Sequence, residues 1–390
     1  MGVIPRIAEL QAEMEGWRHD LHAHPELAFA EHRTADFVAA KLQAFGIAVH
    51  RGLAGTGVVG SLRAGKGDRA LGLRADMDAL PIAEMNDFAH RSTQPGKMHA
   101  CGHDGHTTML LGAAKYLAET KGFDGTVHFI FQPAEENEGG GRRMVEEGLF
   151  EKFPVEAVYG LHNYPGIAAG RFAVRPGPMM ASFDVFEIVV TGRGVHAAMP
   201  HHGADPVVAG AAIVGALQTI ASRNTDPLEP VVVSVTQFHA GDTWNVIPEQ
   251  AVLRGTTRAF RPEIQDATEA AIRRIVAGVA TGLGVTASVR YERRYPPTIN
   301  SAAETETAAR AAAAVTGAQG VARDLAPGMG AEDFAFMLQA RPGSYVWLGN
   351  GNSEGGCFLH NPRYDFNDAI LTVGASYWAR LVEMEMPATR

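Results

Sequence analysis

The stretch Met98-His-Ala-Cys-Gly-His-Asp-Gly-His106 places three imidazoles, a thiol and a carboxylate within nine residues. Cys101 and His103 stand two positions apart, so an extended segment or a tight loop points both side chains the same way. Thiolate, imidazole and carboxylate together form a plausible ligand set for a divalent metal ion. Taken alone, such a pair is more often a buried cysteine beside surface histidines. The distribution of the other candidate ligands must therefore decide between the two interpretations.

Further candidate ligands follow predicted strands elsewhere in the chain. The buried strand 125–132 is followed by Glu135 and Glu136, and a histidine follows each of the strands 155–161 and 344–349. In open α/β sheets, functional groups collect at the carboxyl ends of the strands. Two adjacent carboxylates beyond a buried strand are costly unless they meet a cation or share a proton. Five candidate ligands result, enough for two metal ions that share one group: Cys101, His103, Glu136, His162 and His360.

Two metal ions roughly 3.5 to 4 Å apart can bind a water molecule and lower its pKa towards neutrality. If Glu136 binds metal, the neighbouring Glu135 can accept the proton of that water as general base. Asp76, at the end of the strand 69–75, can orient a metal ligand from behind, although Asp76 and Asp78 could equally be turn-capping residues. The chemistry that this arrangement favours is hydrolysis of a polarised carbonyl group.

Length and composition limit the class of protein. A chain of 390 residues exceeds the size of a single core and predicts two domains. The net charge of -9, without a block of like charges, argues against a nucleic-acid partner. The two cysteines are too few for a disulfide framework and indicate a reducing compartment. No apolar run reaches the roughly 18 residues of a membrane span, so we expect a cytoplasmic protein with no membrane partner.

The apolar periodicity predicts the secondary structure. The predicted helices cover residues 5–22, 31–45, 106–120, 204–223, 262–282 and 366–385. The predicted strands cover residues 57–63, 69–75, 125–132, 155–161, 183–191, 230–240, 250–260, 286–295 and 344–349. Asp104 is expected to cap the helix 106–120, and Ser301 to Glu304 reads as a capping box that opens an alanine-rich helix.

Residues 180 to 296 follow the order strand, helix, strand, strand, helix, strand, which is typical of a ferredoxin-like fold. Prolines mark both edges of this segment. We therefore predict an α/β protein with a mixed-sheet catalytic domain formed by residues 1–180 and 297–390. The lid and dimerisation domain, an α+β insertion, is predicted over residues 181–296.

Five motifs occur in order along nearly the whole chain: Gly72-Leu-Arg-Ala-Asp-Met-Asp-Ala-Leu-Pro81, Met98-His-Ala-Cys-Gly-His-Asp104, Gln132-Pro-Ala-Glu-Glu136, Gly160-Leu-His-Asn163 and Gly192-Arg-Gly-Val-His196. As a set they resemble the amidohydrolase branch of the carboxypeptidase G-type metallopeptidases. That branch includes hippurate hydrolases, bacterial N-acyl-amino-acid amidohydrolases and plant auxin-conjugate hydrolases. Arg74 stands where the wider family has the histidine of a His-x-Asp motif, which supports this branch and argues against true peptidase activity.

The resemblance implies a zinc-peptidase-like catalytic domain that hydrolyses the amide bond of N-acyl amino acids. It assigns the five candidate ligands to two divalent metal ions per subunit, Mn²⁺ or Zn²⁺, with Ni²⁺ or Co²⁺ as further options. Glu135 is then the general base and Asp76 the carboxylate behind the metal site. His196 in the lid corresponds to a histidine that polarises the scissile carbonyl, often from the partner subunit of a dimer. Asn245 and Arg258 are the corresponding candidates for holding the substrate carboxylate.

Several alternatives stay open at this level. The same machinery would serve a deacetylase of another N-acylated metabolite, such as N-acetyl-diaminopimelate or an N-acyl-cysteine. A metal-binding or peptide-binding module without catalysis would be expected to lack the base, whereas Glu135 is present. The acyl group and the metal are undetermined. A homodimer or homotetramer through the lid is expected because an outer strand of the lid could pair across a two-fold axis.

Overall fold

The structure is a computed structural model that describes residues 2–352 and 357–388. Residues 353–356 of the glycine-rich loop predicted before His360 lie outside this described part. Contacts divide the chain into two compact units. The first comprises Met1–Gly177, Ile299–Ala326 and Asp333–Arg390, and the second comprises Pro178–Thr298 and Pro327–Glu332. Residues 327–332 therefore cluster with the second unit, although the sequence pattern assigned them to the catalytic domain.

The strands are β1 Ala48–Leu53, β2 Gly57–Ala64, β3 Ala70–Asp76, β4 Gly125–Gln132, β5 Ala157–Pro165, β6 Phe172–Ala173, β7 Gly177–Met180, β8 Phe183–Thr191, β9 Val195–His196, β10 Val231–Ala240, β11 Val246–Ile247, β12 Gln250–Ala259, β13 Thr286–Tyr295, β14 Thr298–Asn300, β15 Val321–Ala322 and β16 Gly343–Gly351. The α-helices are α1 Pro5–Ala8, α2 Gln11–Ala23, α3 His32–Ala44, α4 His103–Thr120, α5 Gly140–Glu146, α6 Leu149–Lys152, α7 Pro206–Leu217, α8 Pro262–Gly282, α9 Ala302–Thr316, α10 Phe334–Ala340 and α11 Leu371–Glu385.

An eight-stranded mixed sheet in the order β1-β2-β4-β3-β5-β16-β6-β15 forms the centre of the first unit. Its middle strands β4, β3, β5 and β16 are parallel neighbours, so their carboxyl ends meet at one edge. Helices α2, α4 and α11 pack against one another beside it. The α/β fold class with a mixed sheet is thereby confirmed. Strand β5 is longer than predicted, because pairing with β16 extends it through His162 and Asn163.

Asp104 does not cap helix α4 as predicted and makes tertiary contacts instead. The helix begins at His103 with Gly102 in the capping position, so the assignment of Asp104 as N-cap is wrong. The Asp104 carboxylate instead accepts a hydrogen bond from His22 Nδ1 at 2.8 Å and lies 3.7 Å from an Arg18 nitrogen. Since these partners are distant in sequence, local pattern could not identify them.

Other differences from the sequence pattern are local. The predicted helix 5–22 is broken between α1 and α2, and strand β1 was not predicted. The predicted capping box at Ser301 is also wrong, because the Ser301 side chain makes no capping hydrogen bond to helix α9. The Ser301 hydroxyl accepts a hydrogen bond from the Gly343 N–H at 3.2 Å instead.

The second unit contains an antiparallel sheet in the order β10-β12-β8-β13. Helices α7 and α8 pack on it and share one hydrophobic core with its strands. With the chain order β8-α7-β10-β12-α8-β13, this is a ferredoxin-like arrangement. The helix predicted over 204–223 ends as α7 and continues into a π-helical turn, Ile220–Asn224.

One helical stretch of the described chain, Pro206–Asn224, is long and apolar enough by length and composition to cross a membrane. The sequence pattern had suggested that no run reaches this length. The stretch is 33% buried, and its buried residues Ala209, Ile213 and Leu217 belong to the core of the second unit. A helix that packs one apolar face on a sheet satisfies the same criterion, so this feature is weak evidence for membrane insertion.

The close contact of α4 and α11 depends on Gly374, where an added Cβ would lie 2.1 Å from Met109 Sδ. We expect Gly374→Ala to lower the free energy of unfolding by about 1–3 kcal/mol through overpacking. Gly16→Ala is the matched control, because Gly16 lies on helix α2 with no atom near its added Cβ. That control should be neutral or stabilising by about 0.5–1 kcal/mol. Urea unfolding of both variants checks this, and equal stabilities would refute the proposed crowding.

Candidate metal centre

The carboxyl edge of the central strands brings the candidate ligands together. Asp76 ends β3, and Glu135 and Glu136 follow β4 in the same region. Cys101 and His103 flank the start of α4, where the intervening Gly102 adopts a left-handed φ of 91°. A Cβ at this glycine would lie 2.3 Å from Asn163 Nδ2, so no other residue fits between the thiol and the imidazole without rearrangement.

Ligand atoms form several groups, in each of which they lie within 4.8 Å of one another. Four groups involve the predicted ligands: Cys101 with His103 and His162, Cys101 with Glu136 and His360, His103 with Glu135 and Glu136, and His103 with Asp76 and His106. All five predicted ligands are thus brought together. Cys101, His103 and Glu136 each belong to more than one group, so these three residues connect the groups to one another.

Direct distances support this grouping. The Cys101 sulfur lies 3.4 Å from His162 Nε2, and His360 Nε2 lies 3.1 Å from Glu136 Oε1. Cys101 and His162 are buried, whereas the His360 side chain is 52% exposed. The group that contains His360 is therefore the more accessible to solvent.

Buried donor atoms without good partners fit a divalent cation. Neither ring nitrogen of the fully buried His103 makes a hydrogen bond of good geometry, although Nδ1 lies 3.3 Å from an Asp78 oxygen. Burial lowers the pKa of His103, but Asp76 and Asp78 outweigh it and raise the pKa to about 10. Burial and then the Glu136 charge raise the pKa of the Cys101 thiol well above its ordinary value. A bound cation would lower the pKa of both groups, because it binds the thiolate form of cysteine and the neutral form of histidine.

Asp78 positions the two adjacent glutamates. Its carboxylate oxygens accept the backbone N–H of Glu135 at 3.0 Å and of Glu136 at 2.9 Å. The same carboxylate faces His103. The sequence pattern offered Asp78 only as a turn cap, although its spacing from Asp76 at the end of a strand was the available signal.

Asp76 lies behind His103, with one carboxylate oxygen 3.8 Å from the imidazole Nε2. It accepts hydrogen bonds from Arg74 Nη1 and from His106 Nδ1, each at 2.6 Å. Burial opposes ionisation, but Arg74 and then the two histidines hold the pKa of Asp76 well below its usual value. Asp76 is thus an ionised carboxylate beside a candidate ligand.

A polar chain that the sequence pattern missed continues from Asp76. His106 Nε2 accepts the backbone N–H of Asn163 at 2.9 Å. The Asn163 side chain donates to the Cys101 carbonyl at 2.7 Å and accepts from the Tyr364 hydroxyl at 2.6 Å. His106 and Asn163 therefore fix the backbone around two candidate ligands. Their places in the sequence, beside His103 and His162, were the only signal for them.

The three candidate substrate-binding residues predicted in the lid contact other residues of the second unit. His196 is exposed on β9, which pairs with β11, and the Ala197 N–H donates to the Asn245 carbonyl at 2.9 Å. His196 and Asn245 are therefore neighbours on one β-ribbon. Arg258 lies on β12, where its guanidinium stacks 4.5 Å over the Phe183 ring. The roles assigned to these residues stay predictions.

The family description "Peptidase family M20/M25/M40" matches residues 72–384 of the chain. A hippurate hydrolase of Campylobacter jejuni subsp. jejuni is 42% identical over 98% of both chains. An N-acetylcysteine deacetylase of Bacillus subtilis is 40% identical over 93% of this chain and 94% of its own length. The crystal structure of the Bacillus subtilis YXEP protein, described as a dinuclear metal-binding peptidase from the M20 family, superposes with a TM-score of 0.85. It is 34% identical and covers 97% of this chain and 99% of its own.

Because Cys101 belongs to two ligand groups, its loss should affect both. We expect Cys101→Ala, reconstituted with Mn²⁺ or Zn²⁺ after chelation, to hold less than half the metal of the unmodified protein. Elemental analysis after gel filtration measures the ratio of metal to chain. Cys357→Ala is the control, since Cys357 belongs to none of the ligand groups found among the described residues. Full metal content in Cys101→Ala would exclude this ligand.

Proposed function

The chain belongs to peptidase family M20/M25/M40, and we propose that it is a metal-dependent amidohydrolase of N-acyl amino acids. It cleaves the amide bond of hippurate-type or N-acetyl substrates and releases a carboxylate and a free amino acid. The observation that carries this proposal is the pair Glu135 and Glu136 beside His103, with Glu136 also grouped with Cys101 and His360. The names of the relatives, hippurate hydrolase and N-acetylcysteine deacetylase, agree with this substrate class.

Cys101, His103, Glu136, His162 and His360 hold two divalent metal ions per subunit, Mn²⁺ or Zn²⁺. When bound, these ions supply Lewis-acid activation of the carbonyl and of water. Glu135 accepts the proton of the attacking water and passes it to the leaving nitrogen. Asp78 holds the backbone of Glu135 for this transfer, and Asp76 orients the imidazole of His103.

The second unit acts as the lid that binds and polarises the substrate. His196 donates a hydrogen bond to the carbonyl oxygen of the scissile amide, in cis or from a partner subunit. Asn245 and Arg258 hold the substrate carboxylate. An arginine fork suits a carboxylate, and stacking on Phe183 limits the motion of the Arg258 side chain.

The substrate class is tested by amine release from N-benzoylglycine, N-acetylglycine, N-acetylcysteine and N-acetyl-diaminopimelate, with chelated and with Mn²⁺- or Zn²⁺-loaded protein. A matched pair, phenylpropanoyl-glycine and Phe-Gly, differs only in the free amino group and separates amidohydrolase from peptidase activity. We expect metal-dependent cleavage of the N-acyl compounds and slower cleavage of Phe-Gly. Faster cleavage of Phe-Gly would favour a peptidase. No cleavage of any compound would favour a non-catalytic binding module.

The base is tested by Glu135→Gln, which keeps the shape of the side chain and removes its proton-accepting charge. We expect kcat to fall roughly 100- to 10,000-fold, while the metal content stays unchanged. Steady-state kinetics and elemental analysis on the same preparation measure both. Near-normal turnover would remove Glu135 from the mechanism, and a loss of metal would make it a ligand instead.

The enzyme forms a homodimer, or a homotetramer built from it, through the lid. Strand β10 lies at the edge of the second unit's sheet, which leaves it open to pair with another strand. Helix α7 exposes the apolar residues Val207 and Val208, the latter at 56%. A two-fold axis lets the same edge and helix meet their own copies. The two free cysteines fit a cytoplasmic location.

The lid interface is tested by Val208→Glu, which places a charge on the exposed face of α7. We expect sedimentation velocity to show a smaller species than the unmodified protein at the same concentration. Leu283→Glu is the control, because Leu283 is a 44% exposed apolar residue at the end of α8. An unchanged sedimentation coefficient for Val208→Glu would exclude α7 from the interface. Flotation of the unmodified protein with lipid vesicles, lost in Val208→Glu, would assign this face to a membrane.

A further inference from the structure

A cavity of about 480 Å³ lies beside the candidate metal centre, within the first unit. Its wall is mostly apolar and comes from residues 27–29 and 79–81. Residues 136–138 close another side, so Glu136 lines the cavity and also belongs to the ligand groups. The volume lies in the range of small-molecule sites, roughly 300–1,000 Å³. The cavity and the candidate metal centre therefore share Glu136.

The walls of this cavity are held by buried hydrogen bonds. The Ala79 N–H donates to the Glu26 carbonyl at 2.8 Å and joins the two apolar segments. The buried Glu31 carboxylate accepts the N–H of Phe29 at 3.0 Å and the N–H of Ala134 at 2.8 Å. One buried group thus connects the cavity wall to the segment that carries the adjacent glutamates.

Two lining residues adopt left-handed backbone conformations. Phe29 has a φ of 59° and Asn137 a φ of 69°. Such a conformation is uncommon for any residue other than glycine and is an outlier for a bulky one. Strained positions of this kind concentrate at functional sites. The left-handed conformation of Phe29, a bulky lining residue, agrees with a built site.

The charges of the wall decide which end of a substrate can enter. Among the described residues that line the cavity, Glu136 and Glu138 are charged, and none is a lysine, arginine or histidine. An N-acyl amino acid has an anionic end and a neutral acyl end. Glu138 repels the substrate carboxylate, and the apolar wall does not replace the hydration that the carboxylate loses. An acyl group instead gains free energy when its apolar surface is buried.

We propose that this cavity is the acyl-group site of the enzyme and that it selects bulky neutral acyl groups, aromatic ones above all, over acetyl. The assignment rests on the proposed amidohydrolase function. A benzoyl group contacts Leu27, Phe29 and Leu80, while an acetyl group leaves most of the cavity to water. A dipeptide would place a charged ammonium group against the same apolar wall, at a desolvation cost that a neutral acyl group avoids.

The first test reduces the volume of the cavity with Ala28→Leu. Because N-benzoylglycine and N-acetylglycine release the same glycine, one assay gives kcat/KM for both. We expect the ratio of benzoyl to acetyl kcat/KM to fall about tenfold or more, as for a mismatch in an apolar pocket. Met85→Ala, a change of a 55% exposed apolar residue outside the cavity, should leave this ratio unchanged. An unchanged ratio in Ala28→Leu would overturn the assignment.

The second test changes the charge with Glu138→Lys and uses N-succinylglycine, whose acyl group ends in a carboxylate. We expect the ratio of succinyl to acetyl kcat/KM to rise at least severalfold, because the lysine attracts the carboxylate that the native wall repels. Glu146→Lys is the matched control. It makes the same change of charge on helix α5, and Glu146 does not line the cavity. An equal response of the two variants would show that the acyl end lies elsewhere.

A binding measurement separates this assignment from the proposed activity. Fluorine NMR follows para-fluorobenzamide, a neutral aryl amide, added to Zn²⁺-loaded protein. We expect line broadening with the unmodified chain and with Met85→Ala, and its loss with Ala28→Leu. If Ala28→Leu retains the broadening, the acyl site is overturned whatever the activity. If binding behaves as expected but no N-acyl amino acid is hydrolysed, the proposed function fails and the aryl-binding cavity stands.

Discussion

The carboxylate of Asp78 connects the two chain segments on which the centre depends. It accepts the backbone N–H groups of Glu135 and Glu136 and faces the imidazole of His103. This fixes the segment after β4 relative to the start of α4, although Glu135 and His103 lie more than thirty positions apart in sequence. Both glutamates therefore take their backbone position from one buried acceptor.

The arrangement of strands explains why so much of the site could be predicted. Parallel strands that read as continuous apolar runs are recognisable in sequence, and their carboxyl ends share one edge of the sheet. This rule places Glu135 after β4 and Asp76 at the end of β3, where the structure has them. The alternating pattern of the second unit likewise predicted β8 and β13 with their observed bounds. These elements depend on local periodicity, which a single sequence contains.

The failures concern groups whose partners lie far away in sequence. Asp104 precedes the predicted helix 106–120 as a cap residue would, yet it lies in the first turn of α4 and its carboxylate accepts a hydrogen bond from His22 of α2. Ser301 has the spacing of a capping box, yet its hydroxyl binds the N–H of Gly343. In both cases the side chain makes a tertiary hydrogen bond in place of the predicted local one. His106 was missed for the same reason, because its function is set by Asp76 and Asn163 rather than by its neighbours on α4.

The charge of the centre couples metal binding to deprotonation and to stability. Arg74 is fully buried and donates to Asp76, so part of the negative charge is compensated within the first unit. Cys101 lies near Glu136, which with burial keeps its thiol protonated. A cation that binds Cys101 must displace this proton, and its apparent affinity therefore rises with pH. Because such binding favours the folded chain, metal removal lowers stability by mass action. A sequence that buries these carboxylates and this thiol together thus makes the metal part of the fold as well as of the chemistry.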